Sequence, residues 1–124
     1  MKVLGKAEQR RGRRAELELV KLLQDFGYTD VAPGPPMSFG TVPDIIGLSA
    51  VHAEVKSVKG LNLPAALRQA AEDAQYFEDD LPAVFHRHRG AGWVVSMTLT
   101  DWLKMYDLAV SGGFERPESV GKVR

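Results

Sequence analysis

Asp44, Glu54 and Lys56 have the types and spacing to hold a hard cation and activate a water. They lie in two apolar runs, Pro43-Asp44-Ile45-Ile46-Gly47-Leu48 and Ala53-Glu54-Val55-Lys56, joined by Ser49-Ala50-Val51-His52, a pattern that reads as a β-hairpin. Side chains two apart in a strand share a face, so Glu54 and Lys56 stand together while Ala53 and Val55 turn the other way. Hairpin twist brings Asp44 beside Glu54. Two carboxylates a few ångströms apart repel unless a cation sits between them. A site of few hard oxygens suits Mg²⁺. A lysine beside it orients a water or stabilises a developing anion. The plainer reading is an edge hairpin with scattered surface charge. Against it, both strands are otherwise apolar, and charge within such strands is seldom accidental.

A helix must carry any further acid to this hairpin. The spacing predicts a first helix from Ala7 to about Phe26, closed by Gly27-Tyr28. Ala15, Leu19, Leu22, Leu23 and Phe26 fall on one arc, with Glu16 at its edge between Leu23 and Val20, and Glu18 almost opposite. Glu16 therefore faces the sheet, over the face that carries Glu54 and Lys56, and Glu18 faces solvent. A carboxylate on a core-facing side is costly unless paired, so Glu16 either meets a cation or pairs with an arginine such as Arg13.

Tyr28–Ala32 reads as a short strand and Pro33–Thr41 as a loop feeding Asp44, with Ser38 and Thr41 able to bond a phosphate or simply to serve the turn. A second helix is expected from Pro64 to about Phe77, packing through Leu63, Leu67, Ala70, Ala71, Ala74 and Phe77. Lys59 and Arg68 point towards the site in this reading, with Gln69 a weaker candidate. Pro82–His88 and Trp93–Met97 form a hairpin around Arg89-Gly90-Ala91-Gly92. His86 and His88 share a strand face, but no Cys or carboxylate in register makes them a metal pair, and phosphate contact suits them better. Thr98 or Thr100 caps a third helix over about Asp101–Leu108, with Trp102, Leu103, Tyr106 and Leu108 inward. The order is α-β-β-β-α-β-β-α around a mixed sheet, helix 1 on one face and helix 2 on the other.

The totals set the class. At 124 residues, 44% hydrophobic and 26% charged, the chain is one domain of ordinary globular composition. Residues 1–110 form the domain and 111–124 an extended or flexible tail in this reading. No cysteine is present, which excludes disulfides, a thiolate nucleophile and cysteine zinc sites. No signal-peptide pattern or membrane span is visible, so a cytoplasmic protein is expected, of cellular or phage origin. Net charge is zero, yet residues 1–14 hold six basic side chains (Lys2, Lys6, Arg10, Arg11, Arg13, Arg14) against Glu8 alone. His86-Arg87-His88-Arg89 is a second basic group, and Glu72, Asp73, Glu78, Asp79 and Asp80 form an acidic one.

Pro43-Asp44 followed by Glu54-Val55-Lys56, preceded by an acidic helix and followed by a helix and two strands, resembles the PD-(D/E)xK nuclease superfamily. Arg13-Arg14-Ala15-Glu16-Leu17-Glu18-Leu19-Val20-Lys21-Leu22-Leu23, the Gly27-Tyr28 exit and Gly92-Trp93-Val94-Val95 look most like archaeal-type Holliday junction resolvases and related phage enzymes, over roughly residues 6–97. The resemblance implies an α/β, restriction-endonuclease-like core and a structure-selective, Mg²⁺-dependent endonuclease, with Mn²⁺ able to substitute. It implies Glu16, Asp44, Glu54 and Lys56 as catalytic residues, Asp44, Glu54 and the Val55 carbonyl as metal ligands with Glu16 a further one, and Lys56 as the residue that polarises the water. Ser38 corresponds to a loop serine of that family. Four-way DNA junctions would be cut by a homodimer, with Arg10, Arg11, Arg13, Arg14, Ser38, Lys59, Arg68, Arg87 and Arg89 on phosphates. The alternatives are a flap, nicking, repair or restriction-type nuclease of the same superfamily, or a non-catalytic DNA-binding module on the same fold.

Overall fold

The computed structural model describes residues 6–35, 42–76 and 81–113. The elements are helix α1 (Lys6–Asp25), strands β1 (Ala32–Pro33), β2 (Ile45–Ile46) and β3 (Val51–Lys56), helix α2 (Leu63–Tyr76), strands β4 (Leu81–His88) and β5 (Gly92–Ser96), and helix α3 (Leu99–Ser111). This is the α-β-β-β-α-β-β-α order expected from the sequence. The strands make one sheet in the order β1-β2-β3-β4-β5. Strands β3 and β4 run parallel across the α2 crossover, and the other neighbours are antiparallel. The fold is α/β with a mixed sheet, and β3 is its central strand. Among the described residues no helix is long and apolar enough to cross a membrane.

The two faces of β3 receive different helices. Ala53 and Val55 pack with Ala15, Leu19 and Val20 of α1, together with Val31, Ile45, Ala83 and Phe85. Val84, paired with Glu54 across the β3–β4 ladder, packs with Ala66 and Ala70 of α2. Alanines on that stripe let α2 lie close to the sheet. Its start is set by Asn62, whose Oδ1 accepts the Ala65 N–H at 3.1 Å, with Pro64 in the first turn. The end of α1 follows from Gly27, at φ 116°. There the Gly27 N–H donates to Gln24 O at 2.9 Å and the Tyr28 N–H to Leu23 O at 3.0 Å, satisfying two terminal carbonyls.

Several expectations are corrected. The first strand shrinks to Ala32–Pro33, because residues 28–30 turn the chain out of α1 and the Val31 N–H closes back on Tyr28 O at 3.3 Å. The buried arc of α1 is rotated towards Val20, leaving Leu22 and Phe26 exposed, Phe26 at 86%. On α2, Ala66 is buried and Ala71 exposed, while Leu63 and Leu67 are half-buried; Phe77 lies outside the described residues. Strand β3 begins at Val51 rather than Ala53, because the turn tightens onto Gly47 and Ala50, both at positive φ. Helix α3 is longer than expected and is capped by Thr98, whose Oγ1 accepts the Asp101 N–H at 3.2 Å. None of its residues is buried: Trp102, Leu103, Tyr106 and Leu108 are exposed, and Trp102 stacks on Tyr106 at 5.2 Å instead of entering the core. The helix ends at Ser111, inside the segment read as tail.

Candidate active site

The backbone of Asp44 is held from both sides before its side chain does anything. Its N–H donates to Ala53 O at 2.9 Å, and its carbonyl accepts the Gly34 N–H at 2.8 Å. Residue 34 must be glycine here, because a Cβ would run into the Pro43 carbonyl. With the main chain fixed, the carboxylate reaches along β3, and Oδ2 accepts the Val55 N–H at 2.7 Å. In a strand one residue's N–H and C=O face the same neighbour. The Val55 carbonyl therefore faces the Asp44 side too.

Glu54 projects from the opposite face of β3 and is 5% exposed. Lys56, two residues on, places Nζ 3.9 Å from Glu54 Oε2. Glu16 is half-buried on α1, where Arg13 Nη1 reaches its Oε1 at 3.4 Å and Gly34 O at 3.5 Å. Glu16, Asp44, Glu54, Val55 and Lys56 all border one cleft of about 1010 Å³ between α1 and α2, with Arg11, Arg13 and Gln69 also on its walls. One part of the expected arrangement is wrong. Helix α1 covers the Ala53 and Val55 face, and α2 covers the Glu54 face. Glu16 therefore enters the cleft from the Asp44 side and not over Glu54.

The electrostatics favour a cation. Burial, then the neighbouring Asp44, pushes the Glu16 carboxyl up to about 7, against the opposing pull of Arg13. Burial and Asp44 push Glu54 up to about 8, with Lys56 opposing. Asp44 is also raised by burial, against the Val55 N–H and Lys56. Burial and mutual repulsion raise all three carboxyls against the pull of Lys56 and Arg13, and a divalent ion between them would relieve that cost. The donor set, all oxygen, fits Mg²⁺ or Mn²⁺.

The expected phosphate contacts divide. Arg11 and Arg13 border the cleft. Arg10, Arg14, Lys59, Arg68 and Arg89 are exposed, Lys59 within a turn whose neighbours Val58 and Leu61 line the cleft. On α2 it is Gln69 and not Arg68 that borders the cleft. Arg87 is engaged elsewhere: Nη1 donates to both Glu18 oxygens at 3.1 Å, Nη2 to Ser57 Oγ at 2.9 Å, and its guanidinium lies 5.2 Å from the Trp93 ring centre. Glu18, at the surface as expected, also accepts the Trp93 indole N–H at 3.0 Å. His86 pairs with Ser96 Oγ at 2.8 Å, and His88 is exposed. Ser38 and Thr41 lie outside the described residues.

Sequence reasoning missed Gly34, His52 and Asp73. His52 and Asp73 are buried, at 0% and 3% exposure. The alternation His52-x-Glu54-x-Lys56 signals one face once the strand is begun at Val51. Asp73 stands in helical register with Ala66, Ala70 and Ala74. No protein-family model, curated protein or solved structure matches the chain.

Proposed function

We propose that the chain is a divalent-metal-dependent endonuclease that hydrolyses DNA phosphodiesters, with four-way junctions as its substrate and a homodimer as the cutting species. The observation that carries the reading is the meeting of Glu16, Asp44, Glu54, Val55 and Lys56 on one cleft walled by Arg11 and Arg13. Asp44, Glu54 and the Val55 carbonyl would hold Mg²⁺, with Glu16 adding a fourth oxygen from α1. Bound there, the ion supplies charge relief on the phosphoryl oxygens and a more acidic water.

The chain's own residues do the rest. The Val55 N–H fixes the rotamer of Asp44, and a side-chain hydrogen bond joins its carboxyl to that of Glu54. Lys56 can orient the attacking water or meet charge developing on the phosphoryl oxygen. Arg11 holds the phosphate backbone from the cleft wall, where a guanidinium binds by charge and hydrogen-bond geometry, and Arg13 orients Glu16. The junction and dimer assignments rest on the resemblance of the first helix and the hairpin to the archaeal-type resolvases. Two symmetric cuts need two sites related by a twofold axis.

A second reading, a nicking, flap, repair or restriction-type nuclease with the same site, is favoured by Arg87. Its engagement with Glu18 removes one expected phosphate contact and shortens the basic surface available to a large junction. A substrate panel of four-way junction, flap, nicked duplex, single strand and linear duplex, cut in Mg²⁺, separates the two. Preferential junction cleavage supports the first reading, and equal cutting of linear duplex overturns it in favour of the second.

A further inference from the structure

Behind the cleft, β3 and α2 enclose three ligand-type side chains that hydrolysis does not need together. His52 and Glu54 are two apart on β3 and share the face that α2 covers. Asp73 completes the buried stripe of α2 with Ala66, Ala70 and Ala74. One ligand atom from each of His52, Glu54 and Asp73 lies within 4.8 Å of the others. His52 Nε2 stands 3.9 Å from Glu54 Oε1, beyond hydrogen-bond length. Glu54 Oε1 is itself out of solvent and accepts no hydrogen bond among the described residues. Its carboxylate is divided: Oε2 faces Lys56 and the cleft, and Oε1 faces inward. Among the described residues, the Asp73 oxygens receive long contacts from Gln69 Nε2, at 3.4 and 3.3 Å.

This spacing approaches that of the ligands of one ion. Bonds of about 2.0–2.2 Å to nitrogen and oxygen place two ligands of one Zn²⁺ about 3–4 Å apart. Small side-chain adjustments close the remaining distance. Two carboxylates confined with one imidazole also match the charge of a divalent ion, and the nitrogen ligand selects a transition metal over Mg²⁺. We infer that His52, Glu54 and Asp73 form a second, interior site for a divalent transition-metal ion of the Zn²⁺ class, with Glu54 shared between this site and the cleft. Such an ion ties α2 to the central strand and fixes the Glu54 carboxylate from behind. The inference does not rest on the nuclease reading, since the site can be filled whatever the cleft does.

The test is calorimetric titration of Zn²⁺ into the full chain after chelator treatment, with Asp44→Asn, Asp73→Asn and His52→Gln beside the unsubstituted protein. Asp44→Asn is expected to keep the interior binding event. Asp73→Asn and His52→Gln are each expected to weaken it by about tenfold or more. A second measurement covers failure of those variants to fold: in the ¹⁵N-histidine spectrum of the unsubstituted protein, the His52 ring resonances should move with one equivalent of Zn²⁺ and stay in place with Mg²⁺. Zn²⁺ affinity unchanged by both interior substitutions, binding lost through Asp44→Asn alone, or a His52 signal indifferent to Zn²⁺ would each overturn the inference. Loss of Mg²⁺-dependent cleavage reports on the cleft, so the two readings fail separately.

Discussion

The carboxylate of Asp44 accepts the backbone N–H of Val55, eleven residues on, at 2.7 Å. One bond thereby joins the start of β2 to the strand that carries Glu54 and Lys56. Asparagine keeps an acceptor for this N–H and removes a buried charge, whereas alanine leaves the N–H without its partner. In metal-free protein, Asp44→Asn should melt no lower than the unsubstituted chain. Asp44→Ala should lie about 1–2 kcal/mol below Asp44→Asn, or several degrees in Tm by calorimetry. Equal stabilities of the two variants would show that the bond positions nothing.

Stability should depend on pH and metal together. The folded state raises Glu16 to about 7 and Glu54 to about 8, each from 4.5. A raised carboxyl contributes its full stability below the unfolded value and loses it as pH rises through the folded value. Metal-free protein should therefore lose Tm between about pH 5 and pH 8. Mg²⁺ should restore it at pH 8 and do little at pH 5, and Glu54→Gln should flatten the metal-free profile. A profile that is flat or rises across that window, read by scanning calorimetry, would contradict the electrostatic description.

Gly34 should matter as much as a charged residue. Its N–H holds the Asp44 carbonyl, and a side chain there meets the Pro43 backbone. Gly34→Ala should cost about 1–3 kcal/mol through overpacking and displace Asp44, reducing any cleavage as well. Gly12→Ala, in α1 with nothing beyond its own helical turn within 4 Å of the added Cβ, should instead stabilise by about 0.5–1 kcal/mol. Chemical denaturation of the pair checks the contrast.

The two glutamates of α1 should separate by function. Glu16→Gln alters an acid of the cleft and should lower cleavage by about tenfold or more, on the scale of lost electrostatic groups. Glu18→Gln weakens a surface pairing with Arg87 and Trp93 and should cost at most about 1 kcal/mol with cleavage retained. Rates for the two variants on one DNA substrate decide it.

Local signals made the element order legible. Gly27 closes α1, Asn62 and Pro64 open α2, and the glycines at 90 and 92 turn β4 into β5. The Asp44–Glu54 relationship was legible for the same reason, since a short hairpin leaves few registers. Other features depend on what lies across from a residue. The wheel puts Glu16 at the edge of an arc running through Leu22, Ala15, Phe26, Leu19 and Leu23, while the sheet selects an arc towards Val20 that leaves Leu22 and Phe26 outside. Ala50 adopts positive φ without being a glycine or asparagine, so residue type does not mark the tight turn that lets β3 begin before His52. Asp73 shares the buried stripe of α2 with three alanines, and residue type alone marks it for solvent. Helix α3 shows an apolar side through Trp102 and Tyr106, but periodicity does not reveal whether anything covers it.

The most direct test of the central claim is cleavage of a labelled four-way DNA junction in Mg²⁺ by the unsubstituted chain and by Asp44→Asn. The expected result is cleavage that needs the metal and falls by about 10²-fold or more in the variant. Cleavage by Asp44→Asn at the unsubstituted rate, or none of any DNA by the folded, Mg²⁺-supplied chain, would contradict the assignment.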